Sequence, residues 1–174
     1  MILHKFYLLI ALLVVSVSMH AQEKMILENQ TSISATPIWQ FSSATYKYSG
    51  IVDVQIGNNG QGGTLMIQVK TSDTTFFIGG TAYLFLGDGN VITCTDKKRR
   101  AIRGETIQAF YVLTPAEIKL LKKNKITDVR FRINGTDNPF SSPTGFFTAS
   151  NKIRSFGLAD KTYDTVAEIN LLFK

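Results

Sequence analysis

The chain of 174 residues carries 19 Lys and Arg against 13 Asp and Glu, and it contains a single cysteine, Cys94. One cysteine excludes an intramolecular disulfide. The two histidines, His4 and His20, both lie in an amino-terminal segment that we expect to be removed. The processed chain would then lack histidine, which excludes Ser–His and Cys–His nucleophile pairs and the usual histidine ligands of zinc, copper and haem. We therefore predict no cofactor and no metal site.

The amino terminus is typical of a targeting segment. Lys5 precedes an apolar run from Phe6 to Val17, and the residues Ser-Met-His-Ala then lead to Gln22. The apolar run is too short to span a bilayer comfortably, and no second hydrophobic segment follows it. We predict a signal peptide over residues 1–21 and export to the periplasm or the extracellular space, and we expect no transmembrane span in the processed chain.

The processed chain has the size of one ordinary domain. A domain of this length buries roughly 70% of the surface of its unfolded chain and needs no disulfide or metal to hold it together. Residues 22–37 are polar and rich in Thr, Ser and Asn, so we expect a loose lead-in there. From residue 38 to residue 174, short runs of alternating apolar residues recur between turn signals, which predicts a single β-rich domain.

A hairpin is predicted over Thr81 to Asp96, with Asp88 and Gly89 as its two-residue turn. Such a turn places Tyr83 opposite Cys94 and gives both faces of the hairpin a largely apolar character. That character is typical of a strand pair at the centre of a sheet packed on both sides. We interpret Cys94 as a small buried hydrophobe; the alternative is a reactive or intermolecular thiol.

The segment from Ile107 to Ile133 predicts a strand, a short helix and a second strand. Thr114 is a good N-cap residue, and Glu117 completes a capping box with it, so the helix is expected over residues 115–123. The chain ends in a second predicted helix, over residues 163–173, whose apolar stripe is suited to dock on a sheet.

Within the segment from Ile107 to Ile133, the run YVLTPAEIKLLKKNKITDVRFRI resembles a recurring segment of uncharacterised exported bacterial β-sandwich proteins. The resemblance covers roughly residues 81–133, and it carries no activity and no site residues. Together with the strand pattern, it predicts a mainly β fold, a single antiparallel β-sandwich-like domain with two short α-helices.

Basic residues are concentrated in one part of the chain, because the stretch from Lys97 to Arg132 holds most of the lysines and arginines and only three acids. One interpretation is a solvated face that keeps the protein soluble. The other is a surface for polyanions. Under the second interpretation the binding residues are Lys97, Lys98, Arg99, Arg100, Arg103, Arg130 and Arg132. We expect a stripe of charge if the strands on either side of the helix run antiparallel, and a tighter patch if they run parallel.

The sequence favours an exported, non-enzymatic binding or interaction domain of the bacterial cell envelope. Its expected partner is an anionic glycan, lipopolysaccharide or an acidic protein. Nucleic acid is disfavoured, because the protein is expected to be exported and the stretch from Lys97 to Arg103 lacks interleaved aromatic residues. The oligomeric state is left open.

The alternative function is a histidine-free, carboxylate-dependent hydrolase of the glycosidase type, which needs only two acids. No pair of acids stands out in the sequence, so no catalytic residue is predicted. A concave pocket with two facing acids would favour the enzyme, whereas a basic face on the outside of the molecule would favour binding.

Overall fold

The computed structural model describes residues 22–43, 50–71, 73, 75–135, 144–153 and 161–174. The predicted signal peptide over residues 1–21 lies outside these ranges. Strands dominate the described part of the chain, which also has two short helices, so the prediction of a mainly β fold is confirmed. Neither of these helices is long and apolar enough to cross a membrane.

Within the described ranges, strands make up most of the elements, and both helices lie in the second half of the chain. The strands are β1 (Glu23–Ile26), β2 (Ser32–Ala35), β3 (Trp39–Ser42), β4 (Ile51–Asn58), β5 (Gly63–Lys70), β6 (Phe77–Ile78), β7 (Ala82–Leu86), β8 (Val91–Cys94), β9 (Arg99–Arg103), β10 (Thr106–Leu113), β11 (Ile126–Asn134) and β12 (Gly145–Ser150). The helices are α1 (Pro115–Leu121) and α2 (Thr165–Leu172).

All of these strands belong to one antiparallel sheet, which curls into a half-barrel. The strand order is β8-β7-β11-β12-β3-β4-β5-β10-β9; in addition, β2 pairs with both β1 and β4, and β6 pairs with β11. The predicted β-sandwich is not confirmed, because the strands form one continuous curled sheet. The strands β10 and β11, which are consecutive in sequence apart from α1, are not neighbours in the sheet. Five successive antiparallel pairings separate them, so they run in opposite directions, as in the antiparallel alternative, but without pairing with each other.

The main core fills the inner, concave side of this sheet. Alternate residues of the central strands, such as Val54 of β4 and Ile67 of β5, are fully buried there. Both helices close the core, α1 through Leu121 and α2 through Ile169. Burying a side chain of this size stabilises the fold by roughly 1.5–3 kcal/mol, which explains why the apolar stripes of two such short helices suffice to dock them.

The hairpin formed by β1 and β2 covers part of the outer face of the sheet. Met25 of this hairpin packs with Met66 of β5 in a second, smaller apolar cluster. Gly57 makes the close approach possible, because a Cβ at that position would lie only 2.5 Å from Cδ1 of Ile33. Where the sequence suggested a loose lead-in over residues 22–37, the structure therefore has an ordered hairpin with a buried contact.

Helix α1 begins as predicted. The Thr114 hydroxyl oxygen accepts a hydrogen bond from Glu117 N at 3.3 Å, and the Glu117 carboxylate accepts one from Thr114 N at 2.6 Å. These two bonds form the capping box, so this prediction is confirmed. The helices span residues 115–121 and 165–172, slightly less than the 115–123 and 163–173 expected.

The turn between β7 and β8, closed by a hydrogen bond between Leu86 and Asn90, has three residues, 87–89, not two. Gly89 N donates a hydrogen bond to Leu86 O at 3.0 Å, and Leu86 N donates one to Asn90 O at 2.9 Å. Gly89 has a φ of +86°, which suits the glycine that ends a three-residue hairpin loop. The predicted two-residue turn at Asp88 and Gly89 is therefore wrong by one residue.

This extra residue changes the pairing of the whole hairpin. Tyr83 lies opposite Thr93, and Cys94 lies opposite Ala82 instead of Tyr83. Only one face of the hairpin is fully buried, and β8 lies at one end of the sheet order, so the predicted central position is also wrong. The prediction that Cys94 is a buried packing residue is confirmed, since its side chain is 1% exposed and it is a free cysteine.

Strand β11 contains a register irregularity between Ile126 and Asp128. As a result Ile126 takes a buried position, whereas Thr127 is half-buried and its hydroxyl donates a hydrogen bond to Phe85 O at 3.1 Å. The rest of the strand follows the expected alternation, with Arg130 and Arg132 on the solvent side.

Candidate functional site

Arg99, one of the seven predicted binding residues, forms an ion pair with Glu28 at the tip of the β1–β2 hairpin. Nε of Arg99 donates to Oε1 of Glu28 at 2.5 Å, and Nη2 donates to Oε2 at 3.2 Å. Partial burial would raise the pKa of Glu28, but the hydrogen bond and charge of Arg99 lower it below its usual value. Arg99 therefore joins the hairpin to β9.

Arg103 binds the β1–β2 hairpin at a second point. Its Nη2 donates hydrogen bonds to Leu27 O at 2.9 Å and to Ile26 O at 3.2 Å. Arg99 to Arg103 form strand β9 along the edge of β10. This placement is what brings Arg103 to the hairpin.

Arg100 lies on the opposite side of β9, where it contacts β6. Its Nε donates to Ile78 O at 2.8 Å, its guanidinium lies 4.8 Å from the centre of the Phe77 ring, and Nη2 binds the Asp96 carboxylate. Burial would raise the pKa of Asp96, but the backbone N–H groups of Gly80 and Lys98, with the charge of Arg100, lower it. Arg100 thus links β9 to β6, which pairs with β11.

Arg130 and Arg132 have a different environment, because both are exposed on the outer face of β11. Their guanidinium groups lie 5.0 Å and 5.5 Å from the centre of the Phe146 ring, which belongs to β12 and is 54% exposed. Within the described ranges neither arginine forms a salt bridge. We call Arg130, Arg132 and Phe146 the outer arginine face.

The strands beside β11 extend this face. Tyr83 of β7 and Thr148 of β12 lie on either side of Arg130, and both are at least partly accessible. The acid on the same side of β11 is Asp128, which accepts a hydrogen bond from the Ser150 hydroxyl at 2.5 Å. The surface around the two arginines is therefore a mixture of cationic, aromatic and hydroxyl groups.

Lys97 and Lys98 are exposed and lie in a turn before β9. Lys98 has a φ of +58°, and its N–H donates to Oδ1 of Asp96 at 2.6 Å, which stabilises the turn. The Gly79–Gly80 segment separates the turn from β11, because Gly79 N donates to Arg132 O at 3.0 Å and Gly80 N donates to Oδ2 of Asp96 at 2.7 Å. Hydrogen bonds through Asp96, Gly80 and Gly79 thus connect this turn to the backbone of Arg132.

A second group of cations lies near the carboxyl terminus. Lys119, Lys122 and Lys174 line a cavity of about 420 Å³ between α1 and the end of the chain. Lys122 is engaged there, since its Nζ donates to Phe173 O at 2.6 Å. This site was not predicted, because the contact joins parts of the chain that are far apart in sequence.

Asp53 is one of two described acids whose pKa is clearly raised. Burial raises the pKa of Asp53, although Gln68 donates a hydrogen bond to its Oδ2 at 2.8 Å. Gln68 in turn accepts from Gln108, so the three side chains form a row across β4, β5 and β10 on the outer side of the sheet. Asp53 Oδ1 and Gln108 Oε1 are buried and have no hydrogen-bond donor in the described part of the chain.

Glu168 is the second acid with a raised pKa, and it belongs to α2 on the inner side of the sheet. Burial has the largest effect on its pKa, the charges of Asp164 and Glu23 raise it further, and a hydrogen bond from the Trp39 indole lowers it. Asp53 and Glu168 therefore lie on opposite faces and cannot act on one bond.

Asp164 and Glu168 do line the same cavity, of about 450 Å³, beside α2. The Asp164 carboxylate caps the helix, since its Oδ1 accepts from Ala167 N at 3.0 Å. Glycosidase chemistry requires carboxyl groups on both sides of the bond that is cleaved. Two acids one turn apart on a single helix are neighbours on one side, so this pair does not have that arrangement.

Sequence reasoning missed Phe146, which organises the outer arginine face. The sequence gives no signal for it, because Gly145, Phe146 and Phe147 show no clear alternation of apolar and polar residues. In the structure Phe147 packs inward and Phe146 outward, as strand geometry requires of consecutive residues. In the parts of the chain that the structure describes, no three His, Cys, Asp or Glu residues are grouped to hold a metal ion.

Comparison of the chain with protein-family models finds no match, and comparisons with curated proteins and with solved structures find none either.

Proposed function

We propose that this protein is an exported, non-enzymatic binding domain of the bacterial cell envelope, and that it engages a polyanionic partner through the outer arginine face and through Lys97 and Lys98. One observation carries the proposal: Arg130 and Arg132 are exposed, stacked on Phe146 and free of acidic partners within the described ranges. The apolar amino-terminal run supports export, and the resemblance to exported β-sandwich proteins belongs to the same proposal.

The geometry of β11 suits a ligand with repeated negative charge. Residues two apart on a strand point to the same side and are separated by about 6.6 Å at 3.3 Å per residue. Arg130 and Arg132 can therefore contact successive sulfate, phosphate or carboxylate groups, each through two parallel hydrogen bonds. Because Phe146 holds both guanidinium groups near one place, less side-chain freedom is lost on binding. An anionic glycan or the phosphate groups of lipopolysaccharide have this chemistry.

The proposal is tested by salt elution from a heparin matrix, with Arg130→Gln and Arg132→Gln combined in one variant. A control variant combines Lys119→Gln and Lys123→Gln, which removes the same net charge from accessible positions on and just after α1. We expect the first variant to elute at clearly lower salt than the wild type, and the control to elute close to the wild type. Equal elution of the two variants would contradict the proposal, because net charge alone would then explain retention.

Arg130 and Arg132 are better targets than the run from Lys97 to Arg100. Arg99 and Arg100 bind Glu28 and Asp96, so their substitution would change folding and binding together. Exposed surface substitutions without such partners usually change stability by about 0.5 kcal/mol or less. A melting curve that matches the wild type would therefore show that altered retention of the Arg130/Arg132 variant reports binding.

The alternative of a carboxylate-dependent hydrolase draws less support from the geometry. Asp53 and Glu168 lie on opposite faces of the sheet, and the Asp164 carboxylate is engaged at the start of α2. Hydrolysis of a chromogenic glycoside by the wild type and not by Glu168→Gln would reverse this preference.

A further inference from the structure

The cavity beside α2 combines apolar wall residues with the carboxyl groups of Asp164 and Glu168. Its volume is about 450 Å³, which falls within the range of roughly 300–1,000 Å³ typical of small-molecule sites. Pro37, Leu171 and Leu172 contribute apolar surface to the lining, and Glu168 contributes a carboxylate. The cavity lies on the α2 side of the molecule, whereas the outer arginine face belongs to the far side of the sheet.

A hydrogen bond from a core residue, Trp39, orients the carboxylate of Glu168. Trp39 is fully buried, and its indole Nε1 donates a hydrogen bond to Oε2 of Glu168. Buried indole N–H groups usually find a partner, and here the partner is a charged group at the cavity wall. Among the described residues no other side chain donates a hydrogen bond to Glu168, so its second oxygen remains available to a ligand.

Within the described ranges, no cation acts on the pKa of Glu168. The charged groups that act on its pKa are Asp164 and Glu23, and both are acids. Asp164 is itself turned to the α2 backbone, where it accepts from Ala167 N. A partly buried carboxylate with negative neighbours is strongly stabilised by a positively charged partner, since charged hydrogen bonds in such sites are stronger than neutral ones.

We propose that this cavity binds a small primary ammonium compound with a compact apolar body. The ammonium group pairs with Glu168, and the apolar body packs against Pro37 and Leu172. The pairing depends on a carboxylate that is already oriented by Trp39, so little ordering is required when the ligand enters. This site is independent of polyanion binding, because it uses charges of the opposite sign on a different face.

Trp39 provides a direct readout, because it is the single tryptophan of the chain. In ¹⁵N-labelled protein its indole N–H gives one resonance that reports the hydrogen bond to Glu168. Benzylammonium is the probe, and benzyl alcohol is a neutral control of nearly the same shape. We expect a saturable shift of the indole resonance with benzylammonium and an affinity about tenfold lower for benzyl alcohol, as the loss of one charged hydrogen bond predicts.

Two variants assign the preference to Glu168. Glu168→Gln retains an oxygen that accepts from Trp39 but removes the charge, so we expect the two probes to bind equally weakly. Glu105→Gln is the matched control, since Glu105 is exposed between β9 and β10 and does not line the cavity. A preference for benzylammonium that survives in Glu168→Gln would overturn the proposal. If Glu168→Gln does not fold, the comparison of the two probes on the wild type still decides it, because equal affinities or the lack of a saturable shift would overturn it.

The competing occupant is the amino terminus of the processed chain, because Gln22 also lines the cavity. Acetylation of the terminal amino group separates the two cases. An indole resonance that stays in place after acetylation, and still shifts with benzylammonium, supports an external ligand. A shift on acetylation followed by tighter benzylammonium binding would assign the cavity to the chain's own terminus and overturn the proposal.

Discussion

Arg99 and Glu28 form a two-bond ion pair that connects strand β9 to the tip of the amino-terminal hairpin, 71 residues away in sequence. Their side chains are 26% and 24% exposed, so the pair is partly shielded from solvent. With Arg103, which binds two carbonyl groups of the same hairpin, it holds β1 and β2 against the outer face. Two of the predicted polyanion contacts therefore have structural partners in this fold.

The Arg99–Glu28 pair predicts that the hairpin is less stable in acid. The pKa of Glu28 is lowered in the folded state, so its contribution is fully present above the ordinary value of 4.5 and is lost as the pH falls through the lower, folded value. For a partly exposed pair we expect about 1 kcal/mol or less. Amide hydrogen exchange of residues 23–35, corrected for the intrinsic effect of pH on exchange, should therefore show weaker protection below pH 4.5.

Glu28→Gln is the matched variant for this measurement. In this variant the amides of residues 23–35 should exchange faster than in the wild type at pH 7. Their protection should also differ much less between neutral pH and acid than it does in the wild type. Equal protection of the hairpin in both proteins at pH 7 would show that Arg103 and the Met25 cluster suffice without the ion pair.

Cys94 is predicted to react slowly in the native protein. Burial, with a smaller effect from the charge of Glu117, raises the pKa of the thiol to about 12. At pH 8 the thiolate fraction is then about one in ten thousand, and the thiolate is the reactive form. A thiol reagent should label Cys94 in the native protein no faster than the protein unfolds, and quickly in denaturant. Rapid native labelling, or a disulfide-linked dimer on a non-reducing gel, would contradict this.

Thr114→Ala is predicted to destabilise the protein by about 1 kcal/mol, because Glu117 N at the start of α1 loses its acceptor. Thr114→Ser is the control, since it keeps the hydroxyl group. Thermal or urea unfolding should separate the two variants. A Thr114→Ala protein as stable as Thr114→Ser would mean that water replaces the cap without loss.

The elements that the sequence predicted well are those stabilised by near neighbours. The capping box joins Thr114 to Glu117, only three residues later. Strand β10 was predictable because every second residue from Ile107 to Leu113 is apolar and buried on one side of the strand. The turn between β7 and β8 shows the limit of local signals. Gly89 adopts the positive φ that its sequence suggests, but Gly87 joins the loop, which shifts the register by one residue.

The sheet order and the roles of the arginines could not be predicted in the same way. Strand β11 lies between β7 and β12, so its position depends on pairings with segments on both sides of it in sequence. Arg99 and Arg103 look like solvent-exposed charges until the hairpin that they bind is placed over the outer face. A count of cations in sequence therefore overestimated the number that remain accessible.

Phe146→Leu is predicted to weaken polyanion binding without any change in net charge. The ring lies 5.0 Å from Arg130 and 5.5 Å from Arg132, and an exposed cation–aromatic contact is worth about 0.5–1 kcal/mol. Leucine keeps an apolar side chain but offers no ring, so both guanidinium groups lose the contact that orients them. We expect a fall in heparin affinity of about two- to fivefold, measured by salt elution or calorimetry.

Leu120→Ala is the control for that measurement, because Leu120 is also a large exposed apolar residue but lies on α1. It should bind heparin like the wild type. If Phe146→Leu also binds like the wild type while Arg130→Gln with Arg132→Gln binds more weakly, the arginines act as independent point charges and the ring has no part in recognition. If Phe146→Leu and the combined Arg130→Gln, Arg132→Gln variant both retain wild-type affinity, as the Leu120→Ala control should, the polyanion surface lies elsewhere. The cavity lined by Lys119 and Lys174 then becomes the next target.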